Sequence, residues 1–277
     1  MSGAVCITIP FYANLSFLEV ALCSVTSQSD TEWTAIVVDD SSPEAGAREA
    51  VAALGDGRVQ YVRNDSNLGI AGNFNRCLEL GSRVAEIVTI LHADDMLERG
   101  FVASIRSAHR AFPTATCVAP RVTVIDAGGH AKRTVADSVK RLLWPRRLPF
   151  MLVGDRGLAR LMHGMFFYCP SVSYRVDLLP ALRFDARWLQ VMDLDLFARV
   201  LLADGAIALV PDRLYRYRRH DATATARNSR SSVRGVEEAA VIREIIVVAR
   251  RRGWRRTVRA GRLRLTVRLN GWWSRKR

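Results

Sequence analysis

At 277 residues, 49% hydrophobic and 25% charged, the chain has a globular composition and can bury the core of one large domain or two small ones. No apolar run approaches the roughly 20 residues needed to span a bilayer, and five scattered cysteines with no CxxC exclude the common zinc and disulfide frameworks. The net charge of +14 belongs to the C-terminus: Arg227 to Arg277 hold 16 Arg and Lys against 3 Glu, while the first 226 residues carry 25 against 24.

Cys6, Cys23, Cys77, Cys117 and Cys169 therefore read as small core residues in a reducing compartment. The start, MSGAVCITIPFY, lacks a basic n-region and a long apolar h-region, so the expected location is cytoplasmic.

Apolar runs and amphipathic stretches then alternate. AVCITI (4–9) reads as a strand and Leu15 to Gln28 as a helix with Leu15, Leu18, Leu22 and Val25 on one stripe. WTAIVV (33–38) is a strand, 43–55 a helix, VQYV (59–62) a strand, and Gly69 to Gly81 a helix. EIVTIL (86–91) is the fourth strand, followed by a helix from Glu98 to Phe112 and a strand within 115–125. The expected fold is α/β, a mainly parallel central sheet flanked by helices. Residues 126–150 read as a loop; a helix (155–163), a strand near 169–176, a helix from Asp193 to Asp204 and a strand over 206–218 follow. Thr223 to Ser232 reads as a linker, and Gly235 to Arg252 as an amphipathic helix with Val241, Ile245 and Val248 on one side.

In such sheets ligands bind beyond the carboxyl ends of the strands, where the polar residues of this chain gather. The first strand runs into Pro10 and Tyr12, the second into Asp39-Asp40-Ser41-Ser42, and the fourth into His92-Ala93-Asp94-Asp95. Alone, Asp94-Asp95 suits a turn or a helix cap. Two hard oxygen ligands at a strand tip also suit Mg²⁺ or Mn²⁺, and a second acidic pair at a neighbouring strand end favours a site. A phospho-acceptor regulator would want a lysine after a later strand, and Lys132, Lys140 and Lys276 follow none.

IPFYAN (9–14), SVTSQS (24–29), VVDDSS (37–42), NLGIAGNFN (67–75) and LHADD (91–95) resemble, in order and spacing, the donor half of family 2 glycosyltransferases. VMDLDLFARVL (191–201) resembles the acceptor motif of that family, and LYRYRRH (214–220) its late Arg/His segment. The resemblance implies a single glycosyltransferase type A domain: residues 1–125 as the nucleotide-sugar half, 126–225 as the acceptor half, and 226–277 as a basic helical tail. It further implies that Pro10 and Tyr12 lie against the nucleobase, with Tyr12 able to stack, and that Asp39 or Asp40 accepts an imide N–H of uracil or thymine. Asp94 would take the ribose hydroxyls and Asp95 a Mn²⁺ or Mg²⁺ ion bridging the diphosphate. Asn67, Gly69 and Asn75 would shape the loop and helix beside the ribose; a cap followed by a glycine turn explains Gly69 equally. His92 replaces an Asp common in the family, which puts an accessory role in doubt.

By the same resemblance Asp193 is the general base, standing where the family has Glu-Asp and this chain Met192-Asp193; it could instead merely cap its helix. Asp195 and Arg199 are spaced to pair along that helix. His220 would reach the metal or the diphosphate, or be structural, and Arg218 or Arg219 the phosphates. Segment 162–175 would line the acceptor pocket. A carboxylate acting directly as base implies inversion at the anomeric carbon.

The expected donor is a nucleoside-diphosphate sugar, UDP or dTDP favoured, and the acceptor a hydroxyl of a glycan or lipid-linked saccharide. Arginines with Trp254 and Trp272 suit a surface-lying anchor on the inner face of an anionic membrane through 235–277. Nucleic acid, attracted by the same charge, is not the expected partner. The competing reading is a non-catalytic sugar-nucleotide fold whose Arg-rich tail is the working part.

Overall fold

Why the first four apolar runs become parallel strands is visible in their burial. A computed structural model of the chain describes residues 3–179, 183–220 and 233–263. In it β1 (Val5–Phe11) is buried at six of seven positions, so neither face is left for water. Its alternate residues feed two cores. Cys6 joins the cluster with Phe74, Cys77 and Leu78, while Ile7 and Ile9 join Leu18, Leu22, Val102 and Ile105 on the other face.

β1 pairs in parallel with β2 (Trp33–Asp39) and β4 (Ile87–Ile90), and β2 with β3 (Val59–Arg63), so these strands end on one edge. The helices α1 (Leu15–Thr26), α2 (Ala47–Ala53), α3 (Gly69–Ser82) and α4 (Phe101–Ala111) make the crossovers. α3 packs so closely that a Cβ on Gly81 would meet the Val88 methyl groups at 2.8 and 2.9 Å.

Beyond β4 the sheet becomes mixed, where the sequence suggests continued parallel pairing. β8 (Ser173–Arg175) runs antiparallel to β4 and to β6 (Cys117–Ile125). The long β9 (Ala206–Arg218) is parallel to β6, with a register shift between Pro120 and Val122. Its first half pairs with β7 (Phe150–Val153) and its second with β5 (Met96–Leu97), both antiparallel. One sheet thus joins residues 1–125 to residues 126–225.

Three local expectations change. Residues 126–150 are not simply a loop: they contain α5 (Val135–Leu143), whose N-cap Thr134 accepts from Asp137 N, and the start of β7. The strand expected over 169–176 shrinks to β8 behind a 3₁₀ turn at Cys169–Ser171. After α6 (Gly154–Leu161) and α7 (Met192–Leu202), the tail folds as α8 (Val233–Arg251) and α9 (Arg255–Leu263).

α8 is part of the body. Val241, Ile242, Ile245 and Ile246 lie in the same apolar cluster as Cys6 and Phe197. Val248, expected on that stripe, is 40% exposed. At 100° per residue it stands roughly a quarter-turn from the centre of the buried face. The apolar face assigned to a lipid surface is therefore packed inside the protein. Among the described residues no helix is long and apolar enough to cross a membrane. The linker Thr223–Ser232 and the residues after Leu263, Trp272 included, lie outside the described residues.

Candidate active site

The carboxyl ends of β1 and β2 carry backbone that side chains usually avoid: Asn14 and Ser41 have φ of 72° and 55°. Glu44 holds the first turn in place. Its carboxylate accepts from Asn14 N at 2.5 Å and Leu15 N at 3.1 Å, filling the orphan donors of α1. Beside it Tyr12 is half exposed, and its carbonyl accepts from Ser42 Oγ at 2.6 Å. An aromatic face is thus held open next to the first acidic pair.

That pair divides its work. Asp39 Oδ1 accepts from Ser42 N at 2.7 Å, and Oδ2 accepts from Tyr61 Oη at 2.6 Å and Arg63 at 2.9 Å. Both oxygens are occupied within the protein, so Asp39 is not the free acceptor that a base requires. Asp40 Oδ1 accepts from Asn64 Nδ2 at 2.9 Å and Leu68 N at 2.8 Å. No described residue donates to its Oδ2, so of the two acids only Asp40 keeps an oxygen without a described donor. Asn73 completes the arrangement, accepting from Asn64 at 3.1 Å and donating to Val38 O.

Asn67 and Gly69 make the entry to α3: Asn67 Oδ1 accepts from Gly69 N at 2.9 Å, and Gly69 has a φ of 71°. Asn75 does not face the donor side. Its amide donates to Phe184 O at 2.9 Å and accepts from Phe184 N at 2.8 Å, so it anchors the segment leading to α7. Two residues along α3, about 200° around its axis, separate Asn73 from Asn75, a distinction that the motif alone does not carry.

At the end of β4, His92, Asp94 and Asp95 each offer a ligand atom within 4.8 Å of the others. Asp95 is almost fully buried, accepting from Tyr215 Oη at 2.8 Å and Arg218 N at 2.6 Å. Burial, with the Asp94 charge adding, pushes its carboxyl well above the ordinary carboxylate range. Burial also works against ionised Asp94, yet the His220 hydrogen bond and the neighbouring imidazoles outweigh it and hold that carboxyl low. Burial lowers the His92 pKa, which keeps the ring neutral, as a metal-ligating imidazole must be.

The late Arg/His segment is placed differently from its expected roles. His220 Nε2 sits 3.0 Å from Asp94 Oδ2, making it a partner of that carboxylate, while His92 is the imidazole grouped with both acids. Arg218 is buried; its guanidinium donates to the carbonyls of Asp94, Asp126 and Ala127 and lies 4.8 Å over the Phe17 ring. It clamps loops and is not available to a diphosphate. Arg219 is paired with Asp137 at 2.6 Å, and its Nε is buried without a partner.

Asp193 stands in the first turn of α7 and is half-buried. Its Oδ1 accepts from Leu194 N at 2.8 Å, and it forms no salt bridge with a described residue. Leu194, Phe197, Val200 and Leu201 are buried as the stripe predicts, and Asp195 pairs with Arg199 at 2.8 Å. α8 supports the approach to this helix, because Glu237 accepts from Leu189 N at 3.0 Å and Gln190 N at 2.8 Å. Segment 162–175 is largely core: Met162, Phe166, Phe167, Val172 and Tyr174 are buried in the apolar cluster, against the expectation that they line a pocket.

Residues 6–178 match the family model described as glycosyl transferase family 2. The chain belongs to that family. A family 2 chain so placed is also similar to an uncharacterised Mycobacterium tuberculosis protein, MT1568, 28% identical over 237 residues that make up 80% of this chain and 69% of that one. Its fold matches S. aureus TarS 1-349 in complex with UDP-GlcNAc, with a TM-score of 0.67 at 16% identity. It also matches the mannosyltransferase PcManGT from Pyrobaculum calidifontis in complex with GDP-Man and Mn²⁺, with a TM-score of 0.63 at 18% identity. These alignments cover 88% and 87% of this chain, which spans only 66% of the TarS chain and 64% of the PcManGT chain. The fold is that of a single type A glycosyltransferase domain.

The donor set of this family 2 site fits a divalent ion. Two carboxylates and an imidazole converge at a strand end, an oxygen and nitrogen donor set that a divalent ion accepts.

Proposed function

We propose that the chain is a metal-dependent, inverting glycosyltransferase that moves a sugar from a nucleoside diphosphate, UDP or dTDP favoured, to a hydroxyl of a glycan or lipid-linked saccharide. The observation that carries this reading is the convergence of His92, Asp94 and Asp95 at the end of β4, beside the open face of Tyr12 and Asp40 at the ends of β1 and β2. The sugar-nucleotide complexes of the two structural neighbours support it.

The residues then have distinct tasks. Tyr12 offers a half-exposed ring against which a nucleobase stacks, with Pro10 beside it, and Asp40 Oδ2 accepts an imide N–H. Asn67 and Gly69 set the backbone beside the ribose. Asp94, Asp95 and His92 would hold Mn²⁺ or Mg²⁺, and His220 orients Asp94 through its hydrogen bond. When bound, the ion supplies positive charge for the departing diphosphate. Asp193 takes the proton from the acceptor hydroxyl as that oxygen attacks the anomeric carbon. With one displacement and no enzyme nucleophile, configuration inverts. Asp193 lacks a salt-bridge partner among the described residues, which favours this role over that of a purely structural cap.

The test is a thermal-shift panel of UDP, GDP, dTDP, CDP and ADP with and without Mn²⁺. One or two pyrimidine diphosphates should raise Tm only with the metal, and Asp94→Ala should lose the shift. Asp94 is the better probe than Asp95, which also anchors Tyr215 and the backbone of Arg218. No shift with any nucleotide would favour the non-catalytic reading.

A peripheral site on an anionic membrane now rests on α9 instead of α8. Arg255, Arg256 and Arg259, with His163, line an open cleft of about 300 Å³. None of the three arginines forms a salt bridge with a described residue, and acidic headgroups match that charge.

A further inference from the structure

α5 brings a cation to the end of β9. Its first turn is fixed by Asp137, whose carboxylate accepts from Thr134 Oγ1 and Tyr168 Oη, each at 2.5 Å, and from Arg219 at 2.6 Å. Burial opposes ionisation of Asp137, but these donors prevail and keep its carboxyl below the ordinary range. Asp137 therefore ties α5 to the end of β9 and to the turn before β8, with its own charge satisfied.

Lys140 stands three residues further along α5, on the adjoining face. Its Nζ lies 3.9 Å from the centre of the Tyr168 ring. It forms no salt bridge with a described residue. Burial pushes its pKa down to about 8, opposed chiefly by the Asp193 charge, with Arg234 and Arg219 adding to the depression. A partly buried ammonium is costly without an anion against it, and one aromatic face offsets only part of that cost. The chain carries 38 arginines and 3 lysines, so a compact ammonium at this position is an exception to its own usage.

Both arginines expected to meet phosphate are already engaged, Arg218 by three carbonyls and Arg219 by Asp137. Lys140 shares the Tyr168 ring with the Asp137–Arg219 network at the end of β9, where the Arg218 amide donates to Asp95.

We propose that Lys140 is the phosphate-binding cation of this site, its ammonium donating to a diphosphate oxygen at the end of β9. This rests on the glycosyltransferase reading. The phosphate could belong to the donor or to a diphosphate-bearing acceptor, and the chemistry at Lys140 is the same.

The experiment measures, in the full chain with Mn²⁺, binding of UDP, dTDP and GDP, of the matching nucleosides, and of farnesyl diphosphate as a soluble diphosphate-bearing acceptor surrogate. Lys140→Met should weaken at least one diphosphate by about tenfold or more, as expected for loss of a charge-assisted hydrogen bond. Nucleoside binding should be unchanged, and Lys140→Arg should recover part of the loss. Weakening confined to the nucleotide assigns the donor, and weakening confined to farnesyl diphosphate assigns the acceptor. Unchanged diphosphate binding in Lys140→Met overturns the proposal, as does a Lys140→Arg protein that is folded but binds no better than Lys140→Met. Wild-type chain that binds none of these nucleotides defeats the glycosyltransferase reading itself, a result distinct from loss in the variant alone.

Discussion

The chain places Asp-Asp twice at the end of a parallel strand, and the two pairs have opposite fates. Asp39 at the end of β2 has its own cation, Arg63, and both oxygens filled; Asp40 beside it is held by Asn64 and the Leu68 amide. Asp94 and Asp95 at the end of β4 receive no arginine side chain. Their donors are a histidine, a tyrosine and one backbone amide. In the first pair Asp39 is neutralised by Arg63 and shapes a loop, and Asp40 keeps one oxygen without a described donor. The second sets two carboxylates and an imidazole together with no arginine among their donors, a set suited to a dissociable cation. Identical dipeptides thus differ through residues more than 20 positions away on β3 and more than 120 away on β9.

The largest expected effect touches neither pair. Asp193→Asn should lower kcat by about 10²–10⁴-fold in a transfer assay and leave metal-dependent nucleotide binding intact, which isolates proton removal from donor capture. Asp39→Ala comes next and tests the comparison directly. It leaves Arg63 and Tyr61 without their acceptor and should cost about 1–3 kcal/mol in urea unfolding; Asp94→Ala should cost much less stability and abolish the Mn²⁺-dependent shift. If both variants lose binding equally, the division between the pairs fails. The smallest effect concerns the basic end. Removing the residues after Leu263, or replacing Arg255, Arg256 and Arg259 by Gln, should reduce co-sedimentation with anionic vesicles severalfold in low salt, with nucleotide binding retained. Unchanged sedimentation would remove the membrane proposal.

Much of this was legible in the chain itself. Continuous apolar runs in β1, β2 and β4 announce strands buried on both faces, and the helical stripe around Leu194 and Phe197 places Asp193 at the start of α7. Local period cannot announce contacts closed across long separations. Arg219 meets Asp137 across 82 residues, and Phe184 meets Asn75 across 109. Arg218 looks like a phosphate ligand until three carbonyls are found around it. α5 was hidden because its short amphipathic pattern follows Gly-Gly and ends at Trp-Pro, both loop signals. Tyr61, Arg63 and Tyr215 gave no signal beyond ordinary strand residues.

The packing of α8 has a consequence for how the protein is made. Ile242 and Ile245 share one apolar cluster with Cys6 in the first strand and Phe74 in α3. During synthesis the amino-terminal layers must wait, with that face uncovered, until the ribosome has delivered α8. Nascent chains stalled before Val233 should therefore recruit chaperones and be protease-sensitive, while those stalled well past Leu263 should not.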